Sequence, residues 1–315
     1  MAWLAVVSLV WSFSFGIIRS TLAGIDSGLV SFLRLAIASL AALPALRARR
    51  LSPDLAGRLM LLGAVQFGMM YISYIESFRW LEAWEVAMLT ITTPLFVVIA
   101  SGLLEGDGRR ITYASAAAAV IGGGFILWGA PQSEDFLRGF ILVQVSNVCF
   151  AAGQVWYRRL MAGRPALGDS GVIALPYLGG ALVTALPAAA SVGRLSCMTG
   201  RQWASVAYLG LVASGAGFFM WNHGAKQAGT GVLAAFNNAK IPLSVAASIV
   251  VFGERPSLWR LAAGTVLVAA GILLGRADAG WRSRRASGRT ARSPSPERAG
   301  PAATQPTTPE PSELT

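Results

Sequence analysis

Charge is what this chain has least of. Only 13% of its 315 residues are Asp, Glu, Lys or Arg, against 54% hydrophobic residues and a mean hydropathy of +0.56; a soluble domain carries about 25% charge. A water-soluble globular protein is thereby excluded, and a polytopic membrane protein is what remains. Histidine occurs once, at His223, and cysteine twice, at Cys149 and Cys197, which makes neither a disulfide framework nor a zinc spacing. No aspartate falls inside an apolar run, and there is no phosphate loop, nucleophile elbow or pair of catalytic acids. An intramembrane enzyme and a nucleotide-driven pump both lack their residues, and no cofactor or metal is expected. The net charge of +11 is not a nucleic-acid signal, because the basic residues lie in short loops and a tail rather than on one soluble face. The apolar run from Ala2 has no basic segment before it and continues too long for a signal-peptide core, so it is expected to remain as a span.

The apolar runs read as ten spans, roughly 2–22, 28–46, 59–80, 84–104, 111–130, 137–157, 170–190, 203–222, 230–253 and 257–275. With the N-terminus inside, the inner loops hold Arg47, Arg49, Arg50, Arg58, Arg109, Arg110, Arg158, Arg159, Arg164 and Lys226; the outer loops hold only Arg79, Arg138, Arg194, Arg201, Arg255 and Arg260. The excess of positive charge sets both termini inside. Residues 277–315, rich in Arg, Ser, Pro and Thr, cannot bury a core and are expected to be a disordered cytoplasmic tail.

Span nine carries the most unusual chemistry. Phe236-Asn237-Asn238-Ala239-Lys240-Ile241-Pro242 puts two amides, an amine and a proline near the middle of an apolar segment. Pro242 leaves the carbonyl of Asn238 without its helical partner, and a lone ammonium in hydrocarbon is costly unless it faces protein or water. The segment is therefore expected to line a polar cavity, with Lys240 binding a carboxylate or pairing with Glu76. Glu76 has a second partner available at i+3, Arg79. Tyr71 and Tyr74 share its neighbourhood and offer hydroxyls and stacking faces. Arg34 lies inside span two and can snorkel to the headgroups or clamp a carboxylate; Arg19, nearer an end, is expected to snorkel. Trp11, Phe15, Gln66, Gln144, Asn147, Gln154, Trp156 and Trp221 are further candidates for cavity lining, the amides being equally suited to bridging helices. His223 is expected to cap a helix or sit in a loop.

The chain contains itself twice. Thr93-Pro94-Leu95 in span four matches Ile241-Pro242-Leu243 in span nine, and each is followed by an acid (Glu105, Glu254), an arginine and a helix of small residues. Val7-Ser8-Leu9-Val10-Trp11 likewise resembles Val145-Ser146-Asn147-Val148-Cys149. Two five-span halves, 1–135 and 136–276, must lie in opposite orientations because five is odd. Inverted repeats with matched proline-interrupted helices suit alternating access around a midplane site, with Pro94 and Pro242 as helix breaks or hinges. Gly271 and Gly275 form a GxxxG in span ten, opposite Gly122-Gly123-Gly124 in span five, for close helix packing.

On these features the chain resembles the EamA type of the drug/metabolite transporter superfamily. The likeness is carried by Trp11-Ser12-Phe13-Ser14-Phe15, Ser31-Phe32-Leu33-Arg34-Leu35, the Pro94 and Pro242 helices and the Gly253-Glu254-Arg255 corner, and covers about residues 1–276. It implies an all-α membrane protein of ten helices in two inverted repeats, a central cavity, and export or exchange of small metabolites. Glu85-Val86-Ala87-Met88 and Trp221-Asn222-His223-Gly224 resemble the branch that exports aromatic amino acids. One departure is that Ile173–Ala185 holds no arginine corresponding to Arg34. The expected function is secondary transport of a small organic metabolite, such as an amino acid, across the bacterial cytoplasmic membrane. The candidate binding or coupling residues are Lys240, Asn237, Asn238, Glu76, Arg34, Tyr74 and Trp11. The alternative is a scaffold or receptor that moves no solute. Proton coupling requires Glu76 or Lys240 to titrate in the working range; uniport and exchange fit equally, as do a monomer and a homodimer.

Overall fold

In hydrocarbon the backbone must satisfy its own hydrogen bonds, so long apolar runs become helices. The structure, a computed structural model, describes residues 2–105, 134–227, 230–253 and 266. Among them every regular element is helical. The principal helices are α1 (Ala2–Thr21), α2 (Ser27–Ala42), α3 (Pro53–Ser77), α4 (Ala83–Leu104), α5 (Glu134–Met161), α6 (Ala174–Ala189), α7 (Gly200–Gln227) and α8 (Thr230–Val250). Six are long and apolar enough to cross a membrane; α6 and the Lys240–Val250 part of α8 are shorter apolar stretches. The expected span five, span ten apart from residue 266, Gly271, Gly275 and the 277–315 tail lie outside the described residues, as do the side chains of Asn237 and Asn238.

Several helices are longer than their apolar cores. α3 starts at Pro53 rather than near 59, because Ser52 accepts from the Leu55 N–H and Pro53 needs no partner in the first turn. α7 starts at Gly200, where Thr199 and Gln202 form a reciprocal capping box. Hydropathy marks the part in hydrocarbon, whereas capping sets where the helix begins. Leu40, Leu103, Leu186 and Val250 stay exposed, as lipid-facing side chains of a membrane bundle do.

The packing pairs off. α2 packs on α6, and α4 on α8. α1 packs on α8 while α5 packs on α4; α3 packs on α6 while α7 packs on α2; α3 packs on α5 while α7 packs on α1. In each of these pairs a contact made by a helix before residue 106 has a mate made by a helix after 133. The α3–α6 crossing is close enough that a methyl on Gly63 would meet the Pro176 carbonyl and one on Gly179 the Met60 carbonyl. Small residues bring these backbones together where there is little hydrophobic drive between helices.

Two irregularities also match. α3 passes through a π-helical segment at Ala64–Met69, and α7 through one at Leu209–Ala216. A wider π turn misaligns carbonyls from their usual donors and leaves them for side chains. The two proline helices differ. α4 breaks into a 3-10 turn at Thr90–Thr92 just before Pro94. There Thr90 and Thr92 hydroxyls donate to the Ala87 and Leu89 carbonyls. α8 instead runs through Pro242 as one helix, with Pro242 exposed.

Candidate functional site

The π segment of α7 organises the middle of the molecule. Trp11 Nε1 donates to the Ala213 carbonyl at 2.8 Å, and the Tyr177 hydroxyl donates to Ser214 O and Gly215 O at 3.1 and 2.8 Å. Ser214 Oγ then lies 2.7 Å from the Tyr71 hydroxyl and accepts from Arg34 Nε at 3.3 Å. Arg34 Nη2 donates to Tyr71 at 2.9 Å, and the guanidinium lies 4.0 Å from the centre of the Tyr71 ring. Arg34 is thus turned inward, 2% exposed, rather than snorkelling.

Beside this cluster opens a cavity of about 520 Å3, counted to its mouth. Its walls come from α1 (Trp11, Ser14, Phe15), α2 (Arg34), α3 (Met70, Tyr71, Tyr74), α4 (Thr90), α5 (Ser146, Asn147, Phe150), α7 (Phe218) and α8 (Lys240). Its lining has the character of small-molecule sites, which are mostly apolar with few convergent polar groups. Trp11 packs with Phe218 and Trp221 at centroid distances of 4.9 and 5.0 Å, and Phe67 with Phe218 at 4.7 Å, so an aromatic cluster lies against the cavity wall.

Lys240 is 6% exposed, with Nζ 5.5 and 5.3 Å from the Trp11 and Phe150 ring centres. No carboxylate pairs with it among the described residues. Glu76 is instead bonded to Arg79 at 2.8 Å and does not line the cavity. Trp11, Arg34, Tyr74 and Lys240 are therefore brought together, and Glu76 is not. Asn147 lines the cavity while bridging helices: its amide donates to Leu89 O and Thr92 Oγ1 at 3.0 Å. Gln144 accepts from Thr92, and Gln154 from Trp221 Nε1. Gln66, in the π segment of α3, is fully buried with neither end of its amide bonded.

Composition alone did not point to Ser214 or to a second polar cluster, at the end of the bundle where the chain begins. There Asp169, its side chain 3% exposed, accepts from Tyr157 at 2.7 Å, lies 2.6 Å from Lys226 Nζ and bonds His223 Nδ1 at 2.9 Å. Trp3 contacts His223 edge-on at 6.2 Å. Burial pushes the Asp169 pKa up, but hydrogen bonds from Lys226, Tyr157 and His223 and the charge of Lys226 outweigh it and hold it below the ordinary carboxylate value. Arg19, which is not fully exposed, closes a comparable pair in the first half, reaching Glu82 at 2.6 Å and the Phe78 carbonyl at 2.9 Å. A signal for Asp169 was present: Asp169-Ser170-Gly171 repeats Asp26-Ser27-Gly28 ahead of the second helix of each half.

The model of the EamA-like transporter family matches residues 1–128 and 137–275. The chain is 35% identical over 280 residues to a protein of Escherichia coli K12 named biotin transporter, covering 88% of this chain and 93% of that one. The same identity and coverage hold for a biotin transporter of Salmonella typhimurium. A probable biotin transporter of Pseudomonas aeruginosa is 35% identical over 279 residues, 88% of this chain and 97% of its own. A solved crystal structure superposes with a TM-score of 0.62 at 20% identity, over 87% of this chain and 96% of that one, a likeness of fold.

Proposed function

For a chain that belongs to the EamA-like transporter family, and is therefore a multi-pass membrane transporter of the bacterial inner membrane, we propose that the substrate is a biotin-like monocarboxylate carried by alternating access. The observation that carries this reading is the charge of the cavity. Lys240 and Arg34 both line it, and none of its lining residues is acidic. A carboxylate is favoured there, while an ammonium within ~4 Å of either cation would be opposed by about 4 kcal/mol at an effective dielectric of 20. The amino acid expected from the short sequence matches brings an α-ammonium that the cavity does not accommodate. Biotin has a carboxylate, an uncharged cyclic urea, and an apolar ring and chain suited to Trp11, Phe15 and Phe150. The relatives' names agree with that chemistry.

The proposed architecture is ten helices in two inverted repeats, 1–135 and 136–276, with both termini inside. It is supported by the paired helix contacts, the matched π segments and a family model that matches in two stretches. Alternating access then exchanges the arrangements of the two halves about the cavity. The test is counterflow of labelled biotin in proteoliposomes, with and without an imposed pH gradient. Accumulation that tyrosine and phenylalanine do not compete supports the reading, and its response to the gradient separates proton coupling from exchange. Saturable flux of an aromatic amino acid without any of biotin would overturn it.

A further inference from the structure

The two cations of the cavity are held in different ways, and the difference orients the substrate. We infer that Lys240 receives the carboxylate and that Arg34 receives the uncharged carbonyl at the other end, an assignment that rests on the biotin-like reading above.

Arg34 is preorganised. Its Nε and Nη2 are engaged by Ser214 and Tyr71, and its plane lies on the Tyr71 ring. The Nε–Nη2 edge, which grips a carboxylate through two parallel hydrogen bonds, is therefore occupied. Nη1 is left, buried and with no protein partner. A fixed, buried donor nitrogen without a partner suits a single acceptor atom such as a urea oxygen. The guanidinium charge is also delocalised and already has a π face and a phenol oxygen against it, so its need for a counter-ion is the lesser of the two.

Lys240 has the opposite character. Its charge is concentrated on one nitrogen, and the Trp11 and Phe150 rings are the groups the structure sets around it, both beyond 5 Å. No oxygen among the described residues bonds Nζ. A buried, compact cation with neighbours this weak is stabilised most by an anion. A rotatable ammonium on a flexible stem can meet a carboxylate at the end of a flexible chain, whereas the rigid ring head meets the rigid guanidinium. The assignment makes Arg34 a specificity-determining residue for the uncharged head and Lys240 the anion site.

The experiment compares biotin with two analogues as competitors of labelled biotin uptake. Biotin amide replaces the carboxylate by a neutral group. 2-Iminobiotin replaces the urea oxygen by an imine that is protonated at neutral pH, so the head becomes a cation. Wild type is expected to prefer biotin over each by about ten- to a hundredfold, the worth of one charge-assisted contact. Lys240→Met removes a buried charge without an ion-pair partner and should fold at least as well as wild type. In that variant the preference over the amide is expected to fall below about twofold while the preference over 2-iminobiotin persists. The reverse pattern, the loss of both preferences, or the persistence of both would overturn the assignment. Arg34→Met should give the mirror result, with Arg34→Gln used if melting shows that Arg34→Met does not fold; Gln keeps a hydrogen-bonding end but no charge, so a preference over 2-iminobiotin as strong as in wild type would again count against the assignment. Wild-type protein that takes up no biotin overturns the substrate reading itself, a result seen before any variant is made.

Discussion

Replacing Asp169 by asparagine keeps the shape of the side chain and removes its charge. The carboxylate is almost wholly buried between Tyr157, His223 and Lys226. Hydrogen bonds to charged groups are worth about 1.5–3 kcal/mol each. The Lys226 and His223 side chains are 27% and 37% exposed, however, so water takes over part of what they lose. With that screening the net cost is about 1–3 kcal/mol. Thermal unfolding of purified protein in detergent at about pH 7.5 should show the variant melting several degrees lower, at about 2–4 °C per kcal/mol. The sign with pH follows from the depressed pKa of Asp169. Its contribution is present above the unfolded carboxylate pKa, about 3.9, and is lost as pH falls through the lower folded value. The gap between variant and wild type should therefore persist at neutral pH and close only below about pH 4. A variant that melts within about a degree of wild type at neutral pH would refute the reasoning, because the cluster would then add nothing beyond solvated charges.

Gly179→Val should prevent folded protein from accumulating, since its Cβ would be driven into the backbone of Met60, while Gly57→Ala, with open space around it, should stabilise by about 0.5–1 kcal/mol; size-exclusion profiles and melting temperatures check both. Ser214→Ala removes the oxygen that joins Arg34 Nε to Tyr71. It should weaken biotin competition several-fold with little change in melting temperature, and an unchanged inhibition constant would show that Arg34 is positioned without it. Gln66→Leu removes a buried amide without partners and should raise stability by about 1–3 kcal/mol; a fall in melting temperature would show that the amide is bonded in the folded protein.

The membrane class, the places of α1 to α8 and the inward-facing Lys240 could be read from residue types, because hydrocarbon tolerates so few alternatives. Arg34 was legible as a choice between snorkelling and clamping, and Ser214 and Tyr71 decide it: they supply an interior partner that the sequence does not announce. The π segments were not legible. Ala64–Met69 and Leu209–Ala216 have the composition of any membrane helix, and the wider turn is held by partners distant in sequence, such as Trp11 and Tyr177 on the second. Glu76 shows the converse. Its neighbour at i+3 was in plain view, and the local pair with Arg79 is the one that forms. Asp169 sits outside the apolar runs, where hydropathy carries no information, and only comparison of the two halves exposes it.

The helix contacts pair off but the charges do not, and the charge of the proposed substrate would account for the difference. Counting from Asp26-Ser27-Gly28 and Asp169-Ser170-Gly171, Arg34 corresponds to Tyr177; counting from Pro94 and Pro242, Lys240 corresponds to Thr92. Both counterparts are neutral, and both direct their hydroxyls to protein acceptors, Tyr177 to the α7 π segment and Thr92 to Gln144. A fully symmetric site would gather four cations for a single carboxylate, with the excess repelling one another in a low-dielectric interior. In the proposed mechanism, opposed halves would supply two equivalent arrangements for alternating access, while one arginine in the first half and one lysine in the second would give a monoanion a single orientation. On that reading symmetry is kept in the helix contacts, where the proposed exchange would take place, and dropped at the residues proposed to meet the substrate.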